Sequence, residues 1–544
     1  SLVVSGAQAS QSPDVAGQLM EEYRTHTDLL HEHEPGERGQ CLTVLVEKLR
    51  LGWEYLSDEQ RAEITRNLAP SKSDLFEPMP SIPAPPTAGT DTCWGQTKDN
   101  RYDSEHFSVQ WNNGTISESD ARKFSESLEE SWEIEINELG WKRPSGSNTY
   151  LMLIEVENFG GGGAGAYTTT EECNIFRAPK VVASVGSFSS GDWYKTMACH
   201  ELHHAIQFAY GYAHEFWWWE AAATWMEDLV YPSANDWASA LYMFAQTPHI
   251  GMNAYAGNSN NQDLFWHTYG MGIWGMYLDQ HVGGNELVRS TWEAAEGEWC
   301  QYCIWMPDVI EALGYDFEAV MAGFLAHTSM MDFRDRLYLT DAKRIDTVGS
   351  LPAEGGSDSR NRPQSLGMNI VDFSAASGAV GMELEVTFEG DSAADQWIAV
   401  LSSGNASLEE HIVISLDGDH KGVGRIPFDG DVDAHLVVSP MDDDAQGFSY
   451  NWTGAKDFTY SWSAKLVSPI VEEEEETESG TDSGTDSTGE ISDEDGTGSG
   501  NGIYIPPAAS PNDDKGGCAT SSSGPSGAMV WLVALVLSFR RRKG

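Results

Sequence analysis

The stretch Ala198-Cys199-His200-Glu201-Leu202-His203-His204 holds the residue types and spacing for metal-assisted hydrolysis. On a helix, His200 and His204 stand one turn apart on the same face, so two imidazole nitrogens can meet one tetrahedral metal. Glu201 leans toward the same cleft, where a carboxylate can take the proton of an activated water. A chain with 15 histidines shows this pattern by chance on the order of a few per cent of the time. Two ordinary helix-face histidines are therefore the plain competing reading, and the downstream residues must decide.

A catalytic zinc takes three protein ligands and leaves a fourth position open. The acidic and imidazole groups soon after His204 are His214, Glu215, Glu220, Glu227 and Asp228. Glu220 is favoured, because Ala221, Ala222 and Ala223 behind it let its helix pack closely on the motif helix. His-Glu-x-x-His followed by a glutamate at the head of a second helix resembles the gluzincin pattern of thermolysin-like and aminopeptidase N-like peptidases. The latter carry another glutamate seven positions after the ligand, a spacing that Glu220 and Glu227 keep. The resemblance implies that Glu227 steadies an imidazole ligand, and only the shorter interval from His204 to Glu220 departs from it. Tyr269-Gly-Met-Gly272 resembles the Tyr-x-Lys-Gly of the same enzymes, with Met271 in place of lysine. That implies Tyr269 as the donor to the developing oxyanion, with His267 as the alternative, since thermolysin-like enzymes use a histidine there. The Gly-x-Met-Glu-Asn motif that binds a free N-terminus is absent upstream of His200, so an endopeptidase is preferred over an aminopeptidase.

These residues need elements to hold them. A strand is expected over Asp103–Gln110 and a helix over Ser117–Leu139, opened by a capping box of Ser117 with Asp120 and stopped at Gly140. Further strands are expected at Tyr150–Val156 and Lys180–Val185, and the motif helix at Asp192–Tyr212. Lys180–Val185 is the expected edge strand for an extended substrate. Helical patterning continues from Trp217 to Ala342, and short alternating strands such as Met382–Phe388, Trp397–Leu401 and Ile412–Leu416 follow a polar linker near 346–367. The fold class is thus α+β: a two-lobed gluzincin-like catalytic domain over 91–345, a β-sandwich over 368–468 and a disordered acidic tether. Asp417-Gly-Asp419 and Asp429-Gly-Asp431-Val-Asp433 raise Ca2+ as a ligand, but Asp-Gly pairs more often make hairpin turns.

The ends carry other signals. Residues 1–9, with Ala7 and Ala9 at a cleavage-like position, read as the remnant of a secretory signal. Residues 10–90 form a helical accessory region or propeptide that closes in the Pro-rich run Glu77–Pro86. Residues 469–517 are low-complexity and acidic, too polar to order themselves. From Cys518 to Gly544 a cysteine, a short apolar run and terminal arginines resemble the MYXO-CTERM tail of myxobacterial surface proteins. The resemblance implies processing at Cys518, transient membrane association and retention at the outer cell surface. The layout over residues 100–460 also resembles a group of secreted myxobacterial proteins read as metallopeptidases.

A net charge of -52, from 84 acidic and 32 basic residues, excludes nucleic acid as a partner. Seven cysteines in an exported chain point to disulfides, expected as Cys173–Cys199, Cys41–Cys93 and Cys300–Cys303, with Cys518 left over. The expected function is zinc-dependent hydrolysis of protein or peptide substrates, with Zn2+ held by His200, His204 and Glu220, Glu201 as base and Tyr269 as oxyanion donor. The rival is a surface binding or adhesion protein whose metal site is structural or degenerate. A closed site needs a fourth protein ligand, and Cys199 and His203 point off the shared face.

Overall fold

In the computed structural model the described residues are 16–17, 19–24, 40–68, 91–159, 165–173, 176–189, 191–255, 262–296, 304–374, 381–404, 407–428, 432–442 and 456–469. The signal remnant, the acidic tether, the C-terminal tail, Cys300–Cys303 and Asp429–Asp431 lie outside them. No helix of the described residues is long and apolar enough to cross a membrane. The architecture is mixed helix and sheet, of the α+β kind.

A six-stranded sheet is built from β1 (Gln40–Cys41), β2 (Asn100–Asp103), β3 (Phe107–Trp111), β4 (Met152–Glu157), β5 (Gly165–Cys173) and β6 (Phe176–Ser184), in the order β1-β5-β6-β4-β3-β2. The single strand expected at Asp103–Gln110 is a hairpin, with β2 antiparallel to β3. β6 pairs with β5 on one side and β4 on the other, so it is not the edge strand expected of Lys180–Val185. The edge of the sheet on the β5 side is β1, which pairs in parallel with Gly165–Ala166 of β5.

The N-terminal elements are α1 (19–24), α2 (Thr43–Leu51) and α3 (Asp58–Leu68). Leu19, Met20, Tyr23, Leu42, Leu45, Val46, Leu49, Leu56 and Ile64 share a small core with Tyr167 and Val182 of the large sheet and with Phe159 just after β4. On the other side of the sheet α4 (Glu118–Trp132) starts with the expected capping box, Ser117 and Asp120 each accepting from the other's backbone N–H. It runs on as a π-helical turn, Glu133–Glu138, to Gly140 at a φ of 74°.

The motif helix α5 (Trp193–Tyr210) is buried from Thr196 through Phe208, an all-round burial that suits a helix at the centre of a core. It ends at Gly211, whose φ of 128° favours glycine. Then come α6 (Phe216–Val230), α7 (Trp237–Gln246), α8 (Gln262–Gly270), α9 (Gly272–Tyr277), α10 (Gly284–Ala294), α11 (Met306–Ala312) and α12 (Phe317–Met330). Close packing explains the small residues: a Cβ on Gly275 would stand 2.8 Å from the Trp225 ring, so α9 lies directly on α6.

The expected linker at 346–367 instead contributes β7 (Asp346–Val348) and β8 (Ala353–Gly356). With β9 (Asn369–Phe373), β10 (Met382–Gly390), β11 (Gln396–Gly404), β12 (Leu408–Val413), β13 (Lys421–Phe428), β14 (Asp433–Met441) and β15 (Tyr460–Val467) they form two sheets, β13-β10-β15-β8 and β12-β11-β14-β9-β7. Ala399 and Leu401 of β11 join Leu384, Val386 and Phe388 of β10 in one core. The alternate residues Ile398 and Val400 belong to the core of the helical region instead. The middle sheet is therefore covered on both faces, which is why Trp397–Leu401 reads as a continuous apolar run. Asp417 accepts from the N–H groups of Asp419 and Lys421, and so acts as a turn former.

Among the described residues one disulfide joins Cys93 to Cys173, while Cys41 and Cys199 are free. This corrects the expected pairs Cys173–Cys199 and Cys41–Cys93. Cys173 ends β5 among Cys93, Tyr150 and Ala178, whereas Cys199 is buried on the motif helix within reach of Glu135 and Cys41 lies beside His204.

Candidate metal centre

His200 and His204 stand one turn apart on α5, and Glu220 reaches them from the second turn of α6. Oε2 of Glu220 is 3.2 Å from Nε2 of His200 and 3.6 Å from Nε2 of His204. Sγ of Cys41, on β1, is 3.2 Å from Nε2 of His204. One donor atom from each of Cys41, His200, His204 and Glu220 lies within 4.8 Å of every other. Zinc bonds of ~2.0–2.3 Å at a tetrahedral angle set donors roughly 3.3–3.8 Å apart, so this set fits the ion.

The far side of each imidazole is held. Nδ1 of His200 is 2.7 Å from Oε1 of Glu227, and Nδ1 of His204 is 2.7 Å from Oε1 of Gln207, whose amide donates to the Trp219 carbonyl. Such partners turn Nε2 toward a cation and raise its basicity. Burial would lower His200, but the hydrogen bonds and charges of Glu220 and Glu227 outweigh it and lift the imidazole to about 10. Burial likewise opposes ionisation of Glu220, yet the neighbouring His204 and His200 bring its carboxyl down to about 2. The result is a buried anionic pocket whose imidazolium proton a divalent cation can displace.

Glu201 points to the sheet. Its Oε2 accepts from the hydroxyls of Thr168 at 2.7 Å and Thr43 at 3.2 Å, and the Thr43 hydroxyl itself accepts from the Thr168 N–H at 2.7 Å. Tyr269 lies with its ring nearly parallel to that of His200, centroids 6.2 Å apart, and its hydroxyl donates to the Cys41 carbonyl at 3.0 Å. The alternative His267 is held elsewhere, its Nδ1 3.2 Å from the Thr247 hydroxyl and its ring against Phe244. Cys199 and His203 do face away, both turned toward Glu135, with Nδ1 of His203 2.9 Å from that carboxylate.

Of the residues expected from the sequence, His200, His204 and Glu220 converge, Tyr269 lies against the ring of His200, and the Glu201 carboxylate is turned to Thr168 and Thr43. Sequence reasoning missed Cys41, Thr43, Thr168 and Gln207. Only Gln207, three positions after His204 on the same helical face, left a local signal. A second group, His281, His327 and Asp332, lies away from this centre; Nε2 of His281 donates to the Asp332 carbonyl at 2.7 Å and its ring stacks on that of His327.

No family model matches the chain, and no curated protein does. Among solved structures it is similar over 23% of its length to the whole of the pre-peptidase C-terminal domain of a collagenase from Bacillus anthracis, at 10% identity and a TM-score of 0.14. Over 52% of its length it is similar to 40% of a family GH115 4-O-methyl-alpha-glucuronidase with specificity for decorated arabinogalactans, at 12% identity and a TM-score of 0.14. At these scores neither likeness bears on activity.

Proposed function

We propose that this chain is a zinc-dependent peptide-bond hydrolase, an endopeptidase with a two-lobed gluzincin-like catalytic region, exported and retained at the cell surface. The observation that carries the reading is the convergence of His200, His204 and Glu220 beside a carboxylate, Glu201, that is not among the converging donors. A structural site has no need of that carboxylate.

When bound, zinc supplies Lewis acidity, sharpening a water as nucleophile and polarising the scissile carbonyl. The remaining work falls to the chain. Glu201 takes the proton from the attacking water and delivers it to the leaving amine, and Thr168 fixes the rotamer from which it does so. Glu227 and Gln207 keep both imidazoles in the tautomer with Nε2 free to bind. Tyr269 brings a hydroxyl to the same cleft for the developing oxyanion. With β1 displaced, β5 would become the edge of the sheet and offer backbone groups for an extended peptide.

Glu201→Gln tests this directly. It keeps volume and a hydrogen-bonding carbonyl but removes the base, so zinc content should be unchanged while cleavage of an unfolded protein falls by ~10²–10⁴. Equal cleavage at equal zinc occupancy, under a condition in which the parent protein cleaves, would sink the assignment. The closeness of Cys41 to His204 favours a second reading, a closed four-ligand structural site in a binding protein. Absence of turnover under every condition that exposes the site is its signature.

A further inference from the structure

Resting on the hydrolase reading, we propose that the N-terminal segment is an autoinhibitory latch, with Cys41 as a fourth metal ligand and Thr43 and the Cys41 carbonyl engaging the rest of the machinery. Each catalytic group the site would use holds an atom of residues 41–43. Sγ of Cys41 is 3.2 Å from Nε2 of His204, the Thr43 hydroxyl is on Glu201, and the Tyr269 hydroxyl is on the Cys41 carbonyl. Thr43 ties these contacts together, its N–H lying 3.4 Å from Sγ and its hydroxyl 3.2 Å from the same sulfur. A backbone N–H directed at sulfur suits a thiolate ligand.

The latch also covers the edge on which an extended substrate would pair. β1 pairs with Gly165–Ala166 of β5, and Leu42 donates to the Ala166 carbonyl at 2.8 Å. His200, Glu201, His204 and Glu220 are at most 4% exposed, so no peptide reaches them while β1 is in place.

The strand pairing that opening must break is short. β1 has only two residues, and the other ties of the segment to the sheet and α6 are made by side chains, with Val44 in the main core, Glu47 accepting from the Thr169 hydroxyl and Lys48 over the Phe216 and Tyr255 rings. A ligand needed for a permanent fold would come from a central element, as His200, His204 and Glu220 do. Opening exchanges the zinc–sulfur bond for a zinc–water bond; the thiolate takes a proton from solvent, and no oxidant or reductant is consumed.

X-ray absorption on the zinc-loaded full chain tests the ligand, and cleavage of an unfolded protein tests the latch. The wild type should show one sulfur at ~2.3 Å from zinc and little turnover. Cys41→Ser should lose the sulfur scatterer, keep zinc and cleave at least tenfold faster. An organomercurial that captures the thiol should do the same to the wild type, which covers the case of a variant that folds poorly. A wild-type shell without sulfur overturns the latch and leaves the hydrolase reading to its Glu201→Gln test. Sulfur present, with neither Cys41→Ser nor the mercurial releasing activity, overturns the latch in favour of a closed structural site.

Discussion

At the scale of single residues, Glu220 and Glu227 differ in what they touch, and their variants should differ accordingly. Glu220 faces both Nε2 atoms, so Glu220→Gln removes a charged donor and should lower zinc affinity most. Glu227 holds Nδ1 of His200 and is not one of the converging donors, so Glu227→Gln leaves the donor set intact and should cost about 10–100-fold in affinity. Competition with a chromophoric chelator measures both. A Glu227→Gln protein that binds zinc as tightly as the wild type would remove the carboxylate from the site's support. The spacing of these two glutamates was legible because consecutive turns of one helix carry it. The roles of Thr168 and Thr43 were not, since both come from strands or helices remote in sequence, and a threonine has no chemical signature until it meets a partner.

At the scale of elements, α4 shows how a local signal can be complete. Ser117 and Asp120 satisfy two orphan N–H groups reciprocally, and Ser117→Ala should cost about 1 kcal/mol in a denaturant titration. What the sequence did not disclose is the π-helical turn after Trp132, which carries Glu135 inward to Cys199 and His203. The disulfide is another element-scale matter. Cys93 and Cys173, 80 positions apart, close a long loop, and Cys93→Ser should lower stability by about 4 kcal/mol. Non-reducing peptide mapping should recover the Cys93–Cys173 pair with Cys41 and Cys199 alkylated; a Cys173–Cys199 peptide would contradict this pairing.

At the scale of the whole molecule, burial sets the response to acid. Desolvation takes His214 from 6.5 down to about 4, and it takes His267 down to about 3. The folded state holds both neutral, with Nε2–H of His214 donating to the Thr291 carbonyl at 2.9 Å. Below pH 6.5 the unfolded chain binds protons that the folded chain refuses, so stability is intact above 6.5 and falls as pH drops toward 4 and then 3. His214→Gln removes one of these groups. The stability gap between wild type and variant should therefore shift against the wild type between pH 6.5 and 4, measured by thermal unfolding across that range. A gap independent of pH would show that His214 is not held neutral.

The sequence alone determined the His-Glu-x-x-His face, the glutamate pair behind it, the capped helix and the alternation of the C-terminal strands. Each is a repeat of 3.6 or 2 residues, written within one element and enforced by the geometry of that element. Only the tertiary structure decided which strand forms the edge, which cysteines pair and that residues 40–43 lie on the metal site. Those outcomes depend on packing between segments remote in sequence, 80 positions apart for Cys93 and Cys173 and further for Thr43 on Glu201 and Cys41 on His204, for which no local periodicity exists.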